Sequence, residues 1–154
     1  MSIKHFDSGP RLSRMVTYGG IAYLAGLTAD DTSAGVKGQT AQILEKIDHY
    51  LKESGTSKSN LLTANLWIKD MAMFADMNSV WNAWVDPENP PARACVKADL
   101  ARPEVLVEQV VPDQPPRDGE DDRAHERVGG DGEGDAGLPD TAQVQRGQDR
   151  DQHQ

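Results

Sequence analysis

Between Gln39 and Val85 the apolar residues change period twice, and that change limits the folds open to the chain. In QTAQILEKIDHYLKESG (Gln39 to Gly55), Ile43, Leu44, Ile47, Tyr50 and Leu51 form one apolar stripe of an α-helix. Glu45, Lys46, Asp48, His49 and Lys52 fall on its solvated side, and Gly55 is placed to end it. LLTANLWIKD (Leu61 to Asp70) alternates instead, with Leu62, Ala64, Leu66 and Ile68 on one face and Thr63, Asn65, Trp67 and Lys69 on the other. In MAMFADMNSVWNAWV the helical spacing returns through Phe74, Met77, Trp81 and Trp84. Asp70 can cap this second helix, and the prolines of DPENPP stop it. Helix, strand and helix each own a single apolar face, and a sheet with helices packed on one side buries all three.

The flanking segments supply the other strands. IKHF (Ile3 to Phe6) reads as a short edge strand. MVTYG and IAYLAG surround Gly19-Gly20, a hairpin signal because a tight two-residue turn needs positive φ. ARACVKADL and VLVEQVV, the latter spanning Val105 to Val111, are expected to pair with each other around Ala101-Arg102-Pro103. The order β-β-β-α-β-α-β-β is that of an α+β domain.

At Pro112 the chain changes character, which sets an expected domain of residues 1–111 and an acidic tail of residues 112–154. The tail contains no Lys, Ile, Phe, Tyr, Trp, Met, Asn or Cys, and one leucine, Leu138. Such a segment cannot offset the ~1–2 kcal/mol per residue that ordering its backbone costs, so disorder is expected. An acidic interaction arm is one reading of it. The preferred one is a frameshift just after Glu108, because the residue menu is that of a GC-rich coding sequence read out of frame; the coding DNA decides between them. GGDGEGD (Gly129 to Asp135) lacks the lysine of a P-loop and the spacing of an EF-hand, and reads as a spacer.

Charge and residue usage narrow the function classes. Residues 1–108 carry 11 Lys+Arg and 13 Asp+Glu, while residues 109–154 carry 5 and 12, so the net charge of −9 belongs mostly to the tail. With no basic stripe, a nucleic-acid partner is not expected. No run approaches the ~18 apolar residues of a membrane span, and the first residues lack the apolar stretch of a signal peptide. Cys95 is the single cysteine, which leaves no internal disulfide and suits the cytoplasm. His5, His49, His125 and His153 are scattered, so no metal site is expected.

Pro91-Ala92-Arg93-Ala94-Cys95-Val96, followed fifteen positions after Arg93 by Glu108, resembles the hallmark of the Rid (YjgF) family of reactive-intermediate deaminases. FADMNSVWNAW resembles the family's second helix with its asparagine, here Asn78, and GPRLSRMVTYGGIAYLAG resembles its opening hairpin. The resemblance spans roughly residues 8–108. It implies a chorismate-mutase-like α+β fold, a mixed sheet with two helices on one side, assembled as a homotrimer with ligand clefts between subunits. It also implies hydrolysis of 2-imino acids to 2-keto acids and ammonia, without a cofactor. In that chemistry Arg93 anchors the carboxylate through its planar fork. Main-chain groups near Cys95 hold the other oxygen, and Glu108 activates water as a general base. Asn78 is a ligand contact or a structural amide. Cys95 itself reads as a small buried hydrophobe rather than a nucleophile.

Two positions depart from the family pattern. Arg11 stands where a tyrosine is usual, and Ala25-Gly26-Leu27 replaces a Ser-Gly-Gln run. Arg11 adds a positive charge that would favour a more acidic ligand, or it points to solvent. Two functions therefore compete: an imine/enamine deaminase, and a non-catalytic trimeric module that binds small carboxylates.

Overall fold

Gly19 and Gly20 take φ of 61° and 75°, and the turn they make joins β2 (Ser13–Tyr18) to β3 (Ile21–Leu24). Left-handed backbone at both positions matches the twist of the paired strands, which is why glycine sits there. The protein is described here by a computed structural model covering residues 2–113, all within one compact unit. The tail expected to be disordered lies outside the described residues from residue 114 onward.

β1 (Lys4–Ser8), β2 and β3 form an antiparallel meander with β1 at the edge. α1 (Val36–Glu53) follows, then β4 (Thr63–Ile68), α2 (Phe74–Trp84), β5 (Ala92–Lys97) and β6 (Val107–Val110). The chain then passes Val111 into β7 (Pro112–Asp113), which pairs with β3 through Tyr23 and Ala22. Main-chain pairing thus continues two residues past the expected boundary at 111. The segment 107–113 has partners on both sides: β6 pairs antiparallel with β4, while Leu27 and Gln109 exchange hydrogen bonds of 2.9 and 3.1 Å. Leu24 donates to the Val111 carbonyl at 3.1 Å. Two hydrogen-bonded sheets, β1-β2-β3-β7 and β5-β4-β6, are therefore joined through this one strand across a break at Val111.

The expected pairing of β5 with β6 does not occur. β5 runs parallel to β4 on one edge, and β6 occupies the other. The reason lies in the connections. β4-α2-β5 is a strand–helix–strand crossover, which is the connection a parallel pair needs. The loop from β5 to β6 is in turn captured by Gln39, whose amide donates to the carbonyls of Thr32 (2.9 Å) and Glu104 (3.0 Å) and accepts from the Leu106 N–H (2.9 Å). That loop also starts β6 two residues later than expected, at Val107, with Val105 buried in the preceding turn.

Both helices lie over the same face of the sheet. α1 packs on β3 and β6 and against α2. Its stripe of Ile43, Leu44, Ile47, Tyr50 and Leu51 is buried with Met15, Ala22, Leu24, Ala64, Leu66, Ile68 and Val107. The helix begins at Val36, earlier than its apolar period announces, and so includes buried Gln39 and Thr40. It ends in a Schellman motif. Thr56 donates to the Leu51 carbonyl at 2.9 Å and Gly55 to that of Lys52 at 3.1 Å, with Gly55 at φ 81°. Asp70 accepts from the Ala72 N–H at 2.9 Å and caps the 3-10 turn that leads into α2. The α2 stripe buries Met77 and Trp81, and Trp84 donates from Nε1 to Asp48 of α1 at 2.8 Å.

Candidate functional site

β5 is the edge strand of its sheet, and it carries Arg93 and Cys95 on the face covered by the helices. In register, Arg93 stands beside Ala64 and Cys95 beside Leu66, both buried under that face. α2 crosses above and offers Met77, Asn78 and Trp81 from one turn. Asn78 Oδ1 accepts from the Arg93 guanidinium at 2.8 Å, Met77 Sδ lies 3.1 Å from a second nitrogen, and the guanidinium carbon sits 4.6 Å from the Trp81 ring centre. Stacking on an aromatic face and one neutral hydrogen bond fix the fork's direction without neutralising it.

Among the described residues no carboxylate pairs with Arg93, and its Nε is buried without a hydrogen-bond partner. Burial pushes the guanidinium pKa down from its ordinary value, with Cys95 acting weakly the other way. A half-buried cation with a spare donor is an arrangement that an anion would relieve. Burial likewise pushes the Cys95 thiol up, against the pull of Arg93, so it stays a protonated thiol and a poor nucleophile. The main chain is more useful. Ala92 and Ala98 direct their N–H groups to β4, so the alternation turns those of Arg93 and Cys95 to the open edge of β5.

Glu108 is elsewhere. From β6 it pairs in register with Trp67 of β4 and projects from the face opposite the helices. Its carboxylate lies over Gly26: a Cβ placed on that glycine would overlap a carboxylate oxygen and stand 3.1 Å from the carboxyl carbon. Among the described residues the Glu108 carboxylate has no hydrogen bond or ion pair. Arg11 is exposed on the turn between β1 and β2 and meets none of these groups. The structure therefore gathers Arg93, Asn78 and Cys95, and leaves Glu108 and Arg11 apart from them within one chain. β4 stands between β5 and β6, and the register partners Ala64 and Trp67 are three residues apart along it, so Arg93 and Glu108 are separated by ~10 Å across the strands and by ~10 Å along them, as well as lying on opposite faces.

The Met77–Trp81 cradle and the Gly26 seat are absent from the sequence-based expectations. The first could have been found by asking which residues share a helical turn with Asn78. The second had no local signal, since it depends on how the strand at residues 107–113 meets residues 25–27.

An antiparallel meander joined by a shared central strand to a β-α-β crossover, with both helices on one face, places the protein in the α+β class. The comparisons with known proteins then narrow it. The family profile described as "Endoribonuclease L-PSP" matches residues 3–111. A RutC family protein of Haemophilus ducreyi is 42% identical over 109 residues, covering 71% of this chain and 93% of that protein. The RutC family protein YoaB of Escherichia coli K12 is 35% identical over 70% of this chain and 94% of its own length. Among solved structures, NMB1025 of Neisseria meningitidis, a member of the YjgF protein family, superposes with a TM-score of 0.73 at 39% identity, covering 76% of this chain and 98% of its own. The chain belongs to the Rid/YjgF family, and the α+β fold expected of that family is the one observed.

Proposed function

We propose that the protein hydrolyses reactive 2-imino and enamino acids to 2-keto acids and ammonia, in clefts between the subunits of a cytoplasmic homotrimer. The observation that carries this reading is the Arg93 guanidinium, preset by Asn78 and Trp81, half-buried, and without a carboxylate of its own. A substrate carboxylate supplies the missing anion, with the open N–H groups at Arg93 and Cys95 within reach of its second oxygen. Glu108, brought from the exposed sheet face of a second copy, removes a proton from water as the oxygen attacks the imine carbon. The resulting carbinolamine collapses to the ketone, the proton passes to nitrogen, and ammonia leaves.

The experiment is a coupled assay in which an amino-acid oxidase generates the imine and keto-acid release is followed. Wild-type protein should accelerate release, and Arg93→Ala should not. Equal rates for wild type, Arg93→Ala and a protein-free control would end the proposal.

A second reading has its own support. The Glu108 carboxylate lacks any orienting hydrogen bond among the described residues, and Arg11 and Ala25 replace polar groups usual in the family. A non-catalytic module that holds small carboxylates at Arg93 fits those facts. Stabilisation by keto acids in a thermal-shift screen, with no turnover, selects it. Although the family description names an endoribonuclease, the near-neutral balance of residues 1–108 provides no basic track for RNA.

A further inference from the structure

Asp7 is the only non-glycine among the described residues with left-handed backbone, at φ 47°. The kink takes it out of the β1–β2 ladder: Phe6 pairs with Met15 and Ser8 with Ser13, but Asp7 and Arg14 do not pair. Its carboxylate meets α1 instead, where the Tyr50 hydroxyl donates to Oδ2 at 2.9 Å. The same turn of α1 presents His49 and Glu53, four residues apart, with Nε2 and Oε2 separated by 3.7 Å. The ligand atoms of Asp7, His49 and Glu53 all lie within 4.8 Å of one another. We propose that these three side chains bind a Zn2+ ion, in a site separate from Arg93 and Glu108.

The donor set selects the metal. One imidazole with two carboxylates suits a borderline transition-metal ion, whereas calcium would require six to eight oxygens that these side chains cannot provide. Zinc bonds of ~2.0–2.2 Å place tetrahedral ligand atoms roughly 3.3–3.5 Å apart. His49 and Glu53 are already close to that spacing, and Asp7 needs a swing of about 1 Å that its exposed side chain can make. Tyr50 holds one carboxylate oxygen of Asp7 and leaves the other free, the outer support that metal-ligating carboxylates use. Asp7 from β1 and the pair from α1 would then be clamped together, tying the edge strand to the end of the helix.

Three protein ligands leave a fourth position open. His49 and Tyr50 also line a groove of about 750 Å³ whose charged residues are Arg14, Asp30, Glu45, Lys46 and Arg102, with Lys46 paired to Asp30 at 2.7 Å and Arg102 to Glu104 at 3.6 Å. The two carboxylates balance the charge of the ion, and Arg14, which makes no ion pair among the described residues, favours an anionic fourth ligand, a carboxylate or hydroxide, at the groove wall.

The test is calorimetric titration of the full chain with Zn2+ alone, followed by thermal melting with and without the ion. Four chains are compared: wild type, His49→Gln, Asp7→Asn, and a His125→Gln/His153→Gln variant that removes the two histidines beyond residue 113. Asparagine tolerates the left-handed backbone at position 7 and can still accept from Tyr50, so Asp7→Asn should melt as wild type without zinc. One ion per chain is expected, with affinity kept in the His125/His153 variant and weakened about tenfold or more in His49→Gln and Asp7→Asn. Zinc should raise the melting midpoint only in the chains that keep the site. Undiminished binding by His49→Gln, loss of binding with His125 and His153, or no saturable binding to wild type would each overturn the assignment.

Discussion

Arg93 and Glu108, fifteen positions apart in sequence, stand on opposite faces of one sheet with β4 between them. No rotamer change can bring their side chains to a common substrate in one chain, so joint action requires two copies. Chains carrying Arg93→Ala and Glu108→Gln should each be inactive alone and regain activity when co-assembled. Recovery of roughly a quarter of wild-type imine hydrolysis is expected, the share of interfaces at which random assembly faces two intact residues. Mixed assemblies that form but stay inactive would refute a site shared between copies.

The hydrogen bond from Arg93 to Asn78 aims the guanidinium and leaves its charge unspent. Asn78→Leu should weaken binding of a 2-keto acid by about tenfold to a hundredfold, in line with the ~1.5–3 kcal/mol of a hydrogen bond to a charged group. The protein should remain folded, since Asn78 is only half-buried. Isothermal titration with the two proteins reads the ratio, and equal affinities would show that Trp81 alone positions the fork.

Gly26 offers a cleaner probe of Glu108 than mutation of the glutamate itself. A methyl group there collides with the end of a flexible side chain, not with backbone. Gly26→Ala should therefore displace the carboxylate while leaving stability equal or up to ~1 kcal/mol higher, as expected when a glycine with ordinary backbone becomes alanine. Turnover of the imine should fall by an order of magnitude or more. A variant with full turnover would argue that the observed position of Glu108 is not the working one.

Two buried glutamines make predictions of opposite sign. Gln39, fully buried, satisfies three main-chain groups, one in the loop before α1 and two in the loop before β6, and Gln39→Leu strands all of them. A loss of about 2–4 kcal/mol is expected, from ~1–3 kcal/mol per stranded buried group with partial relaxation. Gln109 is also buried, yet its Nε2 has no partner. Gln109→Met, close in volume, should stabilise the protein by ~1 kcal/mol. Urea unfolding of both variants checks the signs; a destabilised Gln109→Met protein would mean the amide has a partner in solution.

These glutamines also mark where sequence reading ended. The stripes of α1 and α2 and the alternation of β4 from Ala64 to Ile68 were legible because burial there follows apolar residues at fixed spacing, whereas Leu62, expected on the same face, is exposed and Leu61 is buried in its place; Gly19-Gly20 announced its own turn. A glutamine offers no such mark: its burial depends on Glu104 and Leu106, which only the folded chain brings near. The same limit hid the faces of Arg93 and Glu108. Alternation orders side chains within one strand, but the relation between two strands is set by which edge of β4 each takes. The cluster of Asp7 with His49 and Glu53 was hidden likewise, by a kink in β1 that no propensity announces.

Acid should act through Asp86 in the loop after α2. Hydrogen bonds from Ser59, then Asn89 and the Glu88 N–H, hold its carboxyl down at about 2, against an ordinary value of 3.8. The folded state thus prefers the ionised form, so this contribution is complete above pH 3.8 and is lost as pH falls through about 2. Asp86→Asn should lower the melting midpoint at pH 7, and its deficit relative to wild type should shrink between pH 4 and pH 2 as the wild-type carboxyl protonates. A deficit independent of pH would assign the effect to neutral hydrogen bonding.

The strand at residues 107–113 lies between β3 and β4, although it is the last of the described strands to be made. During synthesis the meander and the crossover unit must each wait with an open edge until that strand emerges to fill the gap. The two halves are therefore expected to become one body in a single late event. Ribosome-bound chains halted before Gln109 should be cut by protease throughout, and those in which residue 113 has left the exit tunnel should resist; early resistance would show that the halves can close without their shared strand.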